Sequence, residues 1–246
     1  MTDDSRYKEL APYYDIFIDW DKRLAREIPF VLKAASARVK TCLDLGCGTG
    51  RHLAALRGEG LAVEGCEPSP GLRKLARKNL PAVKIHPHRM ERLGRLAARY
   101  GPWDLVLCLG NTLAHLAADQ LPPFFYGLRK AISANGLAII HVLSYDRIMR
   151  NRPAALPQKE ILKRGVHYGF ERFYEYKPDK IRFRIEIRKN GVLLGIEKQI
   201  LYPVYSAALA RAARAAGLTA IGLYGGFDTG SPFTADSENL VAVIGR

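Results

Sequence analysis

Short apolar runs alternate with longer segments of helical period through the first 145 residues of the chain. This alternation predicts a parallel sheet with crossover helices. Thr41–Leu45, Leu61–Cys66, Ala82–His86, Trp103–Leu109 and Leu137–Val142 read as five strands in turn. Boundary residues support the assignment. Ser69-Pro70 pairs an N-cap with proline at the first helical position, so a helix should run to about Asn79. A second helix, containing Phe124–Ile132, leads through Asn135-Gly136 into the fifth strand.

The pattern changes after residue 145. Residues 166–202 read as an antiparallel meander with turns at Lys177-Pro178-Asp179-Lys180 and Asn190-Gly191, the latter a strong two-residue hairpin signal. Ile181, Phe183, Ile185 and Ile187 alternate with Arg182, Arg184, Glu186 and Arg188, which gives one buried and one charged face. Tyr205–Ala216 reads as an alanine-rich helix stopped by Gly217, and Leu218–Tyr224 and Leu240–Ile244 close the chain as strands. The whole predicts one α/β domain over residues 1–246. It divides into an N-terminal helical cap (1–40), a ligand-binding core (41–145), an antiparallel β insertion (146–204), and a final helix with strands of the core (205–246). An insertion leaving the carboxyl ends of the strands is placed to cover a substrate or to form a homodimer interface.

Composition narrows the class. With 246 residues, 48% of them apolar, the chain can bury a full core. No apolar run approaches the roughly 20 residues of a membrane span. The polar, acidic start Met1-Thr2-Asp3-Asp4-Ser5 is unlike a signal peptide, so a cytoplasmic protein is expected. Cys42, Cys47, Cys66 and Cys108 have no metal-ligand spacing and lie in or beside apolar segments, which predicts buried reduced thiols and no metal. The net charge of +14 and pI near 9.8 favour anionic substrates, nucleic acid or an acidic partner. The basic residues are spread along the whole length, however, so nucleic acid is not the favoured partner.

The sharpest chemical signal is Asp44-Leu45-Gly46-Cys47-Gly48-Thr49-Gly50, a G-x-G-x-G loop directly after a strand. Alternate glycines allow a tight turn and close approach of a ligand. The dinucleotide spacing G-x-G-x-x-G, which sets a pyrophosphate on a helix N-terminus, is absent from this loop. An acid just ahead of the loop suits an ammonium group, and would be misplaced beside a phosphate. Glu67 ends the second strand, where a carboxylate accepts hydrogen bonds from ribose hydroxyls.

These residues resemble the class I S-adenosylmethionine-dependent methyltransferases over nearly the whole chain. DLGCGTG at 44–50 is similar to their first motif, and Glu67-Pro68-Ser69 to their acid-ending second strand. Leu10-Ala11-Pro12-Tyr13-Tyr14-Asp15, Arg51-His52 and Asp236-Ser237-Glu238-Asn239-Leu240 also resemble segments of small-molecule members. Leu107–Leu116, with Gly110-Asn111-Thr112, and Ser144-Tyr145-Asp146-Arg147-Ile148 resemble the glycine and sarcosine N-methyltransferases. The resemblance implies a Rossmann-like, doubly wound, seven-stranded mixed sheet with a small antiparallel insertion after strand 5. It also implies S-adenosylmethionine as methyl donor and a small molecule, an amine first, as acceptor.

By the same resemblance the donor is held by Tyr14, Arg23, Asp44, Gly46, Cys47, Gly48, Thr49, Gly50, Arg51, Glu67, Pro68, Arg89, Met90, Leu109, Gly110 and His115. One segment departs from the pattern. Ile85-His86-Pro87-His88-Arg89-Met90 lacks the aspartate that usually reads the adenine amino group, and Arg89 has only donors. Its flat guanidinium suits stacking on adenine or pairing with Glu67, while the main-chain amide near Met90 suits an adenine ring nitrogen. Asn111, His141 and Tyr145 are the expected catalytic residues, the last two for orienting or deprotonating an amine. Arg147, Tyr168, Tyr174 and Tyr224 are expected around the acceptor. An RNA or nucleotide methyltransferase and a non-catalytic cofactor-binding module are the alternatives. Asn111-Thr112 as a plain helix cap is the bland reading of that loop.

Overall fold

The computed structural model describes residues 7–35 and 39–246. The parts of the expected N-terminal cap at 1–6 and 36–38 lie outside the described residues. A turn at Ala11–Tyr13 precedes α1 (Tyr14–Phe17) and α2 (Trp20–Ala35). The core follows as β1 (Thr41–Leu45), α3 (Arg51–Gly58), β2 (Ala62–Cys66), α4 (Pro70–Asn79), β3 (Ile85–His86), α5 (Leu93–Tyr100), β4 (Trp103–Cys108), α6 (Leu121–Ala131) and β5 (Ile132–Leu143). Next come α7 (Tyr145–Asn151) and the strands β6 (Ala155–Lys163), β7 (Val166–Tyr176), β8 (Ile181–Lys189) and β9 (Val192–Leu201). The chain ends with α8 (Ser206–Ala215), β10 (Thr219–Tyr224) and β11 (Asn239–Gly245).

The main sheet has seven strands in the order β10-β11-β5-β4-β1-β2-β3. β1 to β5 run parallel, and β11 pairs antiparallel with both β5 and β10. Cys42–Leu45 and Leu105–Cys108 are buried throughout, because helices cover both faces of a parallel sheet, and all of these residues but Asp44 are apolar. The chain moves outward from β1 to β3 and then returns to β4, so the strand order reverses between β1 and β4. A crevice opens at such a reversal, at the carboxyl ends of the strands.

Local chemistry explains most boundaries. Ser69 caps α4 by accepting from the Leu72 amide, with Pro70 following it. Gly217, at φ +71°, takes the left-handed turn that ends α8. Asn190 and Gly191 both have positive φ, as a type I′ hairpin requires. The four cysteines are free and buried.

Three strand boundaries differ from the sequence reading. β3 spans only Ile85–His86, since it pairs on one side alone and is flanked by Pro81 and Pro87. β5 begins at Ile132, before Asn135-Gly136, and a register irregularity against β4 between Trp103 and Leu105 absorbs the extra residues. The insertion has four strands, in the order β6-β7-β8-β9, because β6 precedes the meander that the sequence reveals. β6 is an edge strand with Pro157 inside a bulge between Leu156 and Lys159, so it lacks clean alternation.

The insertion sheet packs its inner face onto the N-terminal segment. Phe170, Ile185 and Ile187 form a buried cluster with Leu10, and Tyr13, Tyr14 and Phe17 pack against it. The Glu197 carboxylate accepts the main-chain amides of Tyr7, Glu9 and Leu10 at 2.9–3.2 Å. Glu186 departs from the expected charged face: it is 9% exposed, held by Arg184 and Arg188. Among the described residues, no helix is long and apolar enough to cross a membrane.

Candidate active site

Two cavities meet at the carboxyl ends of β1 and β4. The first encloses about 900 Å³ including its mouth and is walled by the β1–α3 loop, the end of β2, the β3–α5 loop and the N-terminal segment. The second, about 1300 Å³ including its mouth, lies between α1, α2, the β4 and β5 ends and the insertion sheet. Tyr7, Tyr14, Arg23, Gly110 and His115 line both.

The glycine loop owes its shape to conformation and to close approach. Gly46 and Gly48 have φ of +70° and +57°. A Cβ on Gly46 would sit 2.6 Å from Thr112 Cγ2, and one on Gly48 would meet the Tyr14 ring at 3.4 Å. The Gly48 amide donates to Glu67 Oε2 at 2.9 Å, and the Ser69 amide donates to Glu67 Oε1 at 2.8 Å. Glu67 thus joins the loop to the end of β2 while facing the first cavity. Burial pushes its carboxyl up to about 7, against these two hydrogen bonds.

Asp44 is 2% exposed, and its Oδ2 has no hydrogen-bond partner although it lines the first cavity. Burial raises its carboxyl to about 6, with His52 and Arg23 pulling the other way. Behind it, Glu27 accepts from Arg23 Nε at 2.8 Å and bonds His52 Nε2 at 2.5 Å. A buried acceptor left open in this way fits a cationic group entering from the cavity.

Asp15, to which the sequence gives no role beyond its motif, fastens the N-terminal segment to the loop. Its carboxylate accepts from Thr49 Oγ1 at 2.6 Å, from Arg51 at 2.6 and 3.1 Å, and from Trp20 Nε1 at 2.9 Å. Thr49, Gly50 and Arg51 therefore shape the loop from outside and do not line either cavity. Cys47, Pro68, Arg89, Met90 and Leu109 line the first cavity, as expected. Trp20, Leu72, His88 and Thr112 join them, although the sequence named none of the four as a donor contact.

Asn111 stands at φ +68° and makes no cap hydrogen bond, which removes the plain-cap reading. Its Nδ2 donates to the Tyr145 hydroxyl at 3.0 Å, and its Oδ1 accepts from the Leu143 amide at 3.1 Å. Tyr145 is fully buried one layer behind Asn111 and reaches neither cavity. Burial drives its hydroxyl far above the ordinary phenol range.

His141 lines the second cavity with both ring nitrogens engaged. Nδ1 accepts from the Gly110 amide at 3.2 Å, which leaves Nε2–H to donate to Asn239 Oδ1 at 3.0 Å. Burial lowers its pKa to about 4, so the ring is neutral at pH 7. The arrangement corrects the expectation of a proton acceptor: His141 holds Gly110 in place. His115 Nε2 lies 3.1 Å from the Tyr7 hydroxyl, at the junction of the cavities.

Of the expected acceptor residues, Tyr174 alone lines the second cavity. Arg147 pairs with Glu238 at the surface, Tyr168 packs on Tyr13, and Tyr224 packs on Phe30. Each is drawn away by a nearer partner. The insertion contributes Lys159, Arg172, Phe183 and Gln199 to the cavity wall instead. Arg172 had a signal in the sequence: it shares its strand face with Phe170 and Tyr174, a cation on the apolar side of the alternation.

Residues 42–136 match the family described as "Methyltransferase domain". A glycine/sarcosine/dimethylglycine N-methyltransferase of Actinopolyspora halophila is 28% identical over 230 residues, covering 87% of this chain and 38% of that protein. The chain is thus similar to methyltransferases, in this domain by family and along most of its length by sequence.

Among other methyltransferases, a dTDP-4-amino-2,3,4,6-tetradeoxy-D-glucose N,N-dimethyltransferase of Saccharopolyspora spinosa is 30% identical over 125 residues, 50% of this chain and 47% of that protein. The chain thus spans less than half the length of both curated relatives. The crystal structure of Streptomyces venezuelae DesVI superposes with a TM-score of 0.78 at 17% identity, covering 96% of this chain and 97% of that one, which shows a shared fold. The open Asp44 Oδ2, the cradle at Gly46 and Gly48, and the Glu67 carboxylate would fit the ammonium, methionyl chain and ribose of S-adenosylmethionine respectively.

Proposed function

We propose that this protein is an S-adenosylmethionine-dependent methyltransferase that transfers a methyl group to an amine of a small molecule held in the second cavity. The observation that carries the reading is the pair of cavities joined at Tyr7, Tyr14, Arg23, Gly110 and His115. One offers open carboxylate acceptors to a cationic donor, and the other offers a separate, larger chamber to an acceptor. The named relatives act on amino acids and on an amino sugar, which supports an amine as the nucleophile.

Bound S-adenosylmethionine supplies a methyl group already activated by its sulfonium, so the chain's residues have mainly to bind, align and desolvate. Asp44 takes the ammonium, Glu67 the ribose hydroxyls, and Arg89 and Met90 flank the adenine. Asn111, locked by Tyr145 and Leu143, and Gly110, locked by His141, fix the wall between donor and acceptor. An amine directed through this junction would be aligned by these residues with the methyl group that the donor would supply from the first cavity. Such alignment contributes on the order of 7–11 kcal/mol in favourable cases. The amine sheds its proton at the Tyr7–His115 pair, the ring nitrogen and hydroxyl nearest the junction. Four buried free thiols support a reducing compartment, the cytoplasm.

Calorimetric titration with S-adenosylmethionine and S-adenosylhomocysteine, with NAD as control, tests the donor site. Saturable binding of the first two and none of NAD is expected. Labelled methyl transfer to primary and secondary amines, hydroxyl analogues and RNA oligonucleotides then tests the acceptor class. Transfer to RNA alone would overturn the small-molecule reading.

A further inference from the structure

The wall that the insertion gives to the second cavity holds two cations that make no salt bridge among the described residues. Lys159 lies opposite Phe170, and Arg172 opposite Leu156, so both sit on the inner face of the sheet. Lys159 Nζ is 5.4 Å and Arg172 Cζ 5.9 Å from the Phe17 ring centroid. Lys159 Nζ donates to the Phe17 carbonyl, and Arg172 Nη2 donates to the Pro157 carbonyl at 2.6 Å. Neither forms an ion pair with a carboxylate among the described residues, and Arg172 Nε is buried without a partner. Burial and the Arg172 charge lower the Lys159 pKa, against the opposite pull of the Asp19 carboxylate. Two like charges drawn partly out of water are costly unless an anion neutralises them.

The charges around this pair reinforce the imbalance. Lys22 and Arg26 of α2 also line the cavity, against Asp19 and Glu27. Glu27 is committed to Arg23 and His52, and Asp19 accepts from the Lys22 amide. A second open group stands on the same sheet face. Gln199 is 5% exposed, its Nε2 donates to Glu197 at 2.5 Å, and its Oε1 has no partner. The sheet therefore offers the cavity one open cationic donor and one open neutral acceptor.

We infer that the inner face of the insertion sheet is an anion-recognition platform for the methyl acceptor. Arg172 and Lys159 bind a carboxylate or phosphate, and Gln199 Oε1 accepts an N–H or O–H of the same molecule. The acceptor is then an amine that also carries an anionic group. This rests on the second cavity being the acceptor chamber.

The test titrates acetate, inorganic phosphate and pyrophosphate separately into the protein, with and without S-adenosylhomocysteine, followed by calorimetry. Wild type is expected to bind at least one anion saturably. Arg172→Met and Lys159→Met should each weaken it about tenfold or more, equivalent to about 1.4 kcal/mol. Arg172→Lys should keep part of the affinity, and no variant should change S-adenosylhomocysteine affinity. Tighter acetate points to a carboxylate, and tighter phosphate or pyrophosphate to a phosphate ester. Absence of anion binding to wild type, or equal binding by both methionine variants, would overturn the inference. Failure of S-adenosylhomocysteine to bind would sink the donor site alone, because the anion titration is also read on the unloaded protein.

Discussion

The two cavities share a wall but are built on opposite principles. The first is made by main chain at strand ends, lined by two buried carboxylates, Asp44 and Glu67. The second is made by side chains projecting from α2 and the insertion sheet, and its unpaired charge is positive. A ligand common to a whole class is met by backbone geometry, which tolerates little change. A ligand particular to one enzyme is met by side chains on an added sheet, where single substitutions retune recognition without disturbing the loop.

The strongest way to break this contrast is Glu67→Ala. It strips the acceptor from the buried Gly48 and Ser69 amides, and each unsatisfied group costs about 1–3 kcal/mol. S-adenosylhomocysteine affinity should fall about 100-fold or more by calorimetry. An unchanged affinity would mean that the loop holds its shape without this carboxylate. Asp44→Asn keeps the shape and removes the charge. A loss of roughly ten- to 100-fold in donor affinity is expected, the scale of one charge-assisted bond, with anion binding in the second cavity untouched.

The pH dependence sharpens the same distinction. Asp44 and Glu67, raised to about 6 and about 7, must ionise to hold a cationic donor. Donor affinity should therefore climb as pH rises from 5 to 8 and level above Glu67's value, by about tenfold per unit at most for each group. The stability of the unliganded protein should move the other way. Both groups bind protons more tightly in the folded state, so their contribution is fully present below their unfolded values and is lost as pH rises through about 6 and about 7. His141 has the opposite sign. Its pKa is lowered from 6.5 to about 4, so its contribution is present above 6.5 and is lost as pH falls toward about 4. Thermal melts between pH 4 and 8, with and without S-adenosylhomocysteine, separate these trends.

Smaller effects belong to the shared wall and the surface. Asn111→Ala removes the bonds to Tyr145 and Leu143, and a stability loss of about 1–3 kcal/mol is expected by urea unfolding. Donor affinity should stay within about twofold while turnover falls, since the bonds lost lie on the acceptor side of Gly110. Arg147→Ala, at an exposed pair with Glu238, should change stability by no more than about 1 kcal/mol and leave turnover unaltered. A large loss on Arg147→Ala would restore that arginine to the acceptor site.

The sequence by itself determined the main sheet, the glycine loop and the acids beside it. Those features are local: apolar runs of strand length, glycines where φ is positive, an acid at a strand end. Asp44, Gly46, Gly48 and Glu67 are where a reading of adjacent residues places them, because the main chain that positions each lies within a few residues of it. Only the tertiary structure decided the lining of the second cavity. Arg147, Tyr168 and Tyr224 leave the right elements but are captured by Glu238, Tyr13 and Phe30, partners far off in the chain. Lys159 and Gln199 enter because β6 pairs with β7, and β9 with β8, in a sheet whose first strand hides behind a proline bulge. The neutrality of His141 was equally out of reach, since it depends on Gly110 and Asn239 meeting the ring from two other strand ends. Backbone conformation is written residue by residue, whereas a side chain's partner is set by register and packing between segments that the chain brings together only on folding.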